Sequence, residues 1–186
     1  AGSMVFTVET KNKKSEVVRA FDRKTGKQIW DNDWAGSMRV PFYAAKNGSW
    51  VRSTPATDGK TLFVGGMRDV LVAIDVDTGK EKWRRDYPSE EKTPLPSFGF
   101  VSSPLLDKDH IYVQVGSAVR KIKKSDGKTV WQSLADERAM FGSAFSSPFR
   151  ATIQGVDQIL VQTRSTLSGI PVSYTHLTLP TTRGVL

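Results

Sequence analysis

The sequence has no cysteine and only two histidines, His110 and His176. Without cysteine there is no disulfide framework, no thiolate zinc site, no iron–sulfur cluster and no cysteine nucleophile. Two histidines leave little scope for a histidine metal site or a histidine general base. There is no run of about 18 apolar residues, which excludes a spanning helix. No ten-residue segment carries a 3.6-residue periodicity, so helix is expected to be scarce. A Gly-x-Ser-x-Gly nucleophile elbow is also missing. Gly59-Lys60-Thr61 and Gly127-Lys128-Thr129 imitate the end of a phosphate loop. The loop's first glycine is absent, its place taken by Thr54 and Ile122.

What is present is a globular composition. The 186 residues are 38% apolar and 25% charged, with 27 Lys and Arg against 19 acids and a formal net charge of +8. That fits one domain of ordinary size. The lysines fall mostly in turns (Lys24, Lys27, Lys80, Lys128) rather than along a stripe with stacking aromatics, so nucleic acid is not an expected partner. The opening Ala1–Thr7 reads as the interior of a strand, and an internal piece of a longer chain is expected. Asn47-Gly48-Ser49 matches a glycosylation sequon and is read as a chance match.

A repeat organises the chain. Asp22-Arg-Lys-Thr-Gly26-Lys-Gln-Ile-Trp30 matches Asp75-Val-Asp-Thr-Gly79-Lys-Glu-Lys-Trp83, and Lys123-Lys-Ser-Asp126-Gly127-Lys128-Thr-Val-Trp131 supplies a third copy. The tryptophans are 53 and 48 residues apart. A second marker precedes each following unit: Ser53-Thr-Pro55, Ser102-Ser-Pro104 and Ser146-Ser-Pro148. A period near 48 lies in the range of propeller blades. Within each period, β-branched and aromatic runs such as Leu62–Val64, Val70–Ile74 and Ile111–Val115 predict four short antiparallel strands. Gly26, Gly79 and Gly127 are read as turn glycines, and Trp30, Trp83 and Trp131 as packing between neighbouring blades. Asp75-Val-Asp77 looks faintly like a calcium loop, but Lys80 stands at the sixth position and Asp86 at the twelfth, so it is set aside.

The unit Asp-x-x-Thr-Gly-Lys-x-x-Trp, with a small-Ser-Pro marker leading into the next blade, resembles the pyrroloquinoline-quinone (PQQ)-type β-propeller repeat. That superfamily holds the quinoprotein alcohol dehydrogenases and the outer-membrane assembly lipoprotein BamB. The resemblance covers residues 4 to 170 and implies an all-β propeller fragment. About four four-stranded blades are expected from a seven- or eight-bladed ring: a partial blade over 4–36, whole blades over 49–88 and 99–135, and a partial blade over 144–170. The connectors 37–48 and 89–98 read as loops. Residues 171–186 break the repeat, losing aspartate, glycine turn and tryptophan together. They resemble an adapter read-through, so a foreign tail is expected, and His176 with it.

Function is less legible. In a propeller the first-strand lead-ins and the second-to-third-strand hairpins share one face around the channel. This gathers Trp50, Arg52, Arg68, Asp69, Ser102, Ser146 and Arg164 as candidate ligand-face residues, with Phe100 and Phe145 nearby. Arginines and hydroxyls could hold a small anionic ligand; the competing reading is that the serines satisfy backbone groups and the arginines are solvated. No catalytic or metal-binding residue is assigned. The resemblance implies a periplasmic or secreted protein, with two readings open. One is a non-enzymatic binding or scaffold module of the bacterial cell envelope, with a protein partner and no cofactor. The other is a piece of a PQQ-dependent dehydrogenase needing PQQ and calcium, for which Asp69 is the one carboxylate considered.

Overall fold

A computed structural model of the chain describes residues 2–47, 50–136 and 145–173. It is almost entirely β. Blade I has three strands, β1 (Met4–Lys11), β2 (Ser15–Asp22) and β3 (Gln28–Ala35). Blade II has four, β4 (Ala56–Thr57), β5 (Thr61–Gly66), β6 (Val70–Asp75) and β7 (Glu81–Asp86). Blade III repeats that plan with β8 (Leu105–Leu106), β9 (His110–Val115), β10 (Ala118–Lys123) and β11 (Thr129–Ser133). Blade IV holds β12 (Phe149–Ile153), β13 (Val156–Gln162) and β14 (Leu167–Pro171). Strands pair antiparallel in sequence order within each sheet. Because β3 carries Trp30 and β12 follows Ser-Ser-Pro, blade I shows strands two to four and blade IV strands one to three.

The connectors are loops apart from two short helical turns. A 3-10 turn spans Phe42–Asn47, and α1 covers Tyr87–Glu91. Asp86 caps α1 by accepting the N–H of Ser89, while Glu90 accepts the N–H of Asp86. Pro88 in the first turn needs no donor there. β14 runs to Pro171, and Val172 donates to the carbonyl of Asp157, so these two residues belong to blade IV. Residues 174–186 lie outside the described residues.

The sheets stack face to face in chain order, the layering of a propeller. Alternation along the strands explains it. Leu62, Val64, Val70, Val72 and Ile74 face blade I and meet Val18, Ala20, Trp30 and Trp34. Phe63, Leu71 and Ala73, one residue out of phase, face blade III and meet Ile111, Val113 and Ile122. Tyr112, Val119 and Trp131 face blade IV and meet Ile159, Val161 and Ile170. Blade II is therefore buried on both faces, which is why β5 is apolar from Leu62 to Gly66 and β6 from Val70 to Ile74.

The repeat is visible in the backbone as well. The pairing slips at the same place in blades I to III, between Ala20 and Phe21, Ala73 and Ile74, and Lys121 and Ile122. Each slip is a bulge just before the glycine turn. In the first two turns an aspartate closes the loop: Asp22 Oδ1 accepts the Thr25 N–H at 2.7 Å, and Asp75 Oδ1 accepts the Thr78 N–H at 3.0 Å. Their hydroxyls, Thr25 Oγ1 and Thr78 Oγ1, donate to the same carboxylates.

The tryptophans join the blades. Trp30 Nε1 donates to the Val76 carbonyl and Trp83 Nε1 to the Lys124 carbonyl, both at 2.8 Å. Each acceptor lies three residues before the turn glycine of the next blade, Gly79 or Gly127, and the indole lies against that glycine. Two residues further along the outer strand, Asn32 Nδ2 donates to the Gly79 carbonyl and Arg85 Nη1 to the Gly127 carbonyl, again both at 2.8 Å. Trp131 is buried, and its Nε1 has no hydrogen-bond partner among the described residues.

Candidate functional site

The lead-ins and second-to-third-strand hairpins do share one face. The lead-in serines link blade to blade along it. Ser53 Oγ donates to the Ser102 carbonyl at 3.0 Å. The Thr54 N–H donates to Ser103 Oγ, and the Ser103 N–H donates to Ser147 Oγ, both at 2.9 Å. Ser102 is buried and its hydroxyl accepts the Gln114 N–H. Ser146 Oγ donates to the Gln162 carbonyl at 2.7 Å. Gln114 Nε2 reaches the carbonyls of both Ser146 and Gln162. The hydroxyls of Ser102 and Ser146 thus satisfy the backbone, where a row of serines around the axis had also suggested ligand donors.

The hairpin residues separate into two groups. Arg68 and Arg164 are exposed, Arg164 Nε donating to Asp136 Oδ2 at 3.2 Å. Asp69 instead turns into the junction of blades II and III. It is buried, sits at φ +62°, and its Oδ2 accepts the Gly116 N–H at 2.8 Å. Burial pushes its carboxyl up to about 7, with Asp86 adding to the rise and the Gly116 N–H and Arg120 opposing it. Asp69 does not open onto the ligand face. Trp50 is exposed and Arg52 half-buried.

Sequence reading missed the counterpart of Asp69. Glu16 is fully buried; its Oε1 accepts the Met67 N–H at 2.7 Å and its Oε2 accepts Trp34 Nε1 at 2.8 Å. Burial pushes it up to about 7 against the pull of those two donors and of Arg68. The signal was available: Glu16 and Asp69 are 53 residues apart, the spacing of Trp30 and Trp83. The same offset places Trp34 on Tyr87. The Tyr87 ring is buried between two guanidiniums, Arg120 at 4.5 Å and Arg85 at 5.1 Å. Both arginines bond Glu91 of α1. These acids are structural joints between hairpins. Among the described residues, no three His, Asp or Glu side chains are grouped to hold a metal ion.

What the face does expose is aromatic surface. Phe42 is 89% exposed, Tyr43 59% and Phe145 64%. Their rings form a chain through Phe98: Phe42–Tyr43 at 5.6 Å, Tyr43–Phe98 at 6.2 Å and Phe98–Phe145 at 5.4 Å. The row crosses the lead-ins of blades II, III and IV. Phe100, grouped with the face on sequence grounds, is buried instead, its ring filling the space beside Gly65 in the core.

Blades stacked through a Thr-Gly turn, an outer-strand tryptophan and a Ser-Pro lead-in define a PQQ-type β-propeller repeat protein. A family model described as outer membrane protein assembly factor BamB matches residues 14–173, and the chain belongs to that family. It is 24% identical over 160 residues to the outer membrane protein assembly factor BamB of Yersinia pestis, covering 84% of this chain and 37% of that one. A 1-butanol dehydrogenase (cytochrome c) of Thauera butanivorans is 32% identical over 105 residues, 55% of this chain and 14% of the enzyme. The chain thus spans less than two-fifths of either curated relative. The crystal structure of BamB from Moraxella catarrhalis superposes with a TM-score of 0.56 at 14% identity, over 96% of this chain and 50% of that one, and shows the same fold.

Proposed function

We propose that this propeller segment is a non-enzymatic, protein-binding part of a bacterial envelope scaffold, and that it binds through the lead-in face. The aromatic row of Phe42, Tyr43, Phe98 and Phe145 carries the reading. Contiguous exposed aromatics of this kind are what docking surfaces present, and here three successive lead-ins build one. Membership of the BamB family supports a protein partner and an outer-membrane-associated envelope location. No helix among the described residues is long and apolar enough to cross a membrane.

A second reading follows from the likeness to the 1-butanol dehydrogenase, namely a segment of a PQQ-dependent oxidoreductase. PQQ would supply the hydride-accepting quinone and calcium would polarise it. The placement of one described residue weighs against that pair. Asp69, the carboxylate considered for it, is enclosed at a blade junction and bonded to Gly116.

Site-specific photocrosslinking from position 43 in a bacterial envelope separates the two. A discrete protein adduct, lost in a Phe42→Ser, Phe145→Ser double variant, is expected. Dye-linked alcohol oxidation with added PQQ and calcium, abolished by Asp69→Ala, would overturn the scaffold reading.

A further inference from the structure

On the opposite face, where the glycine turns lie, blades II and III flank an open cleft of about 430 Å³. Its wall is built from the loop before β5, the loop before β9, the turn after β10, and Lys82 of β7. Five lysines line it, Lys60, Lys82, Lys108, Lys123 and Lys124, against two carboxylates, Asp58 and Asp109, with His110 at one side.

Two of the lysines are engaged. Lys124 Nζ holds Asp58 Oδ2 at 2.9 Å, and Lys82 Nζ lies 3.1 Å from Asp75 Oδ2 while donating to Thr61 Oγ1. Lys60, Lys108 and Lys123 are exposed, with Lys123 near enough to help hold the Asp126 carboxyl below its ordinary range. His110 Nδ1 lies 3.4 Å from Asp107 Oδ1, and Asp107 is occupied with backbone N–H groups and the Tyr112 hydroxyl. Among the residues that line the cleft, lysines outnumber carboxylates five to two, with Asp75, Asp107 and Asp126 at its margin.

At two positions, Lys123 and Lys82, the repeat shows a lysine where the other blades carry none. Lys123 occupies the position of Asp22 and Asp75, the carboxylates that close the other two turns. With lysine there, the third turn keeps its backbone bonds, Gly127 N–H to Lys123 carbonyl and Lys123 N–H to Lys128 carbonyl. Asp126 accepts the Lys128 N–H at 3.0 Å, the bond that Thr25 and Thr78 make in the other two turns. The next two residues, Lys124 and Ser125, stand where blade II has Val76 and Asp77 and blade I has Arg23 and Lys24. In β7 Lys82 takes the bulged position held by Ile29 and Val130 in the neighbouring blades. Local rules broken together, around one cleft, mark a site under another demand.

The geometry points to a binding site for a phosphate-bearing ligand between blades II and III on the turn face. Lysines act on phosphate as point charges on flexible stems, and the volume is that of a small-molecule pocket. The aliphatic stems of the same lysines would flank the ligand's uncharged part. A soluble phosphorylated compound and a phospholipid headgroup share this chemistry.

Titrating the full chain with inorganic pyrophosphate, followed by amide chemical shifts, tests the site, alongside flotation with phosphatidylglycerol or phosphatidylcholine vesicles. Shifts confined to residues 58–61, 82, 108–110 and 123–125 are expected, fading as salt rises. Pyrophosphate binding without vesicle association identifies a soluble ligand; flotation with phosphatidylglycerol alone identifies a headgroup. Lys123→Asp restores the turn-closing residue of the other copies, so it should fold normally and bind about tenfold or more weakly, as charge reversal at contact distance implies. Lys108→Glu, on an exposed loop, should do the same. Binding by neither probe, or binding unchanged in both variants, overturns the site.

Discussion

Glu16 of blade I and Asp69 of blade II occupy the same phase of the repeat and make the same bond. Each accepts the first N–H of the next blade's hairpin turn, Met67 for Glu16 and Gly116 for Asp69. A carboxylate in that place holds neighbouring hairpins in step, and its burial carries a consequence for pH.

Both carboxyls keep their protons in the folded chain up to about pH 7 and release them near pH 4 when unfolded. Between those limits the folded state binds more protons, so stability falls as pH rises and levels off above about 7. Asp22, Asp75 and Asp157 are held below the ordinary range, Asp75 at about 2, so their contribution is lost only as pH drops below about 4. Urea unfolding should therefore show greatest stability between about pH 4 and 5. Asp69→Asn keeps an acceptor for Gly116 and should flatten the decline, gaining stability at about pH 8 on the order of a few kcal/mol. A wild-type midpoint that does not move between about pH 5 and 7.5 would show that these carboxyls are ionised in the fold.

Gly26 and Gly79 provide a matched comparison. Both sit at φ near +70° in the same turn, +69° and +70°. A Cβ on Gly79 would stand 2.6 Å from the Trp30 ring, whereas one on Gly26 would meet nothing within 4 Å. Gly26→Ala should cost about 1 kcal/mol, the backbone term alone. Gly79→Ala should cost at least about 1–3 kcal/mol more, the price of overpacking. Equal losses in thermal melts would mean that Trp30 is not seated there.

Ser53→Ala should lose about 1 kcal/mol by removing the donor to the buried Ser102 carbonyl. Denaturant titration reads this directly. A neutral result would mean that water replaces the hydroxyl and that the serine row is not a joint between blades.

Blade IV presents an apolar face away from blade III. Phe149 pairs with Leu160 and Leu167 with Gln162, so these residues share the side opposite Ile159 and Val161. Phe149 is 65% exposed and Leu167 75%, with Ile153 and Val156 beside them. The corresponding faces of blades I to III are covered by the following sheet. The 186-residue chain should self-associate through this surface. Light scattering after size exclusion should show larger species in the wild type, and a monomer for Phe149→Lys, Leu167→Lys. A wild-type monomer at high concentration would contradict this.

The chain's own residues were enough to read the blades. Asp22, Asp75, Gly26, Gly79 and the three tryptophans repeat at blade spacing because turn closure and indole packing are local or nearest-neighbour demands, and each blade must meet them again. The near-absence of helix and the order of strands were legible for the same reason. The site was not. Asp69, Ser102 and Phe100 lie close in sequence to the exposed face, but sequence position does not tell which way a residue points at a junction between sheets. Only packing against the next blade decided that Asp69 bonds Gly116, that Ser102 serves Gln114 and that Phe100 fills the space beside Gly65. The aromatic row and the lysine cleft were hidden for a related reason. Phe42, Phe98 and Phe145, like Lys60, Lys108 and Lys123, are scattered over different loops, and they become neighbours only when the sheets stack.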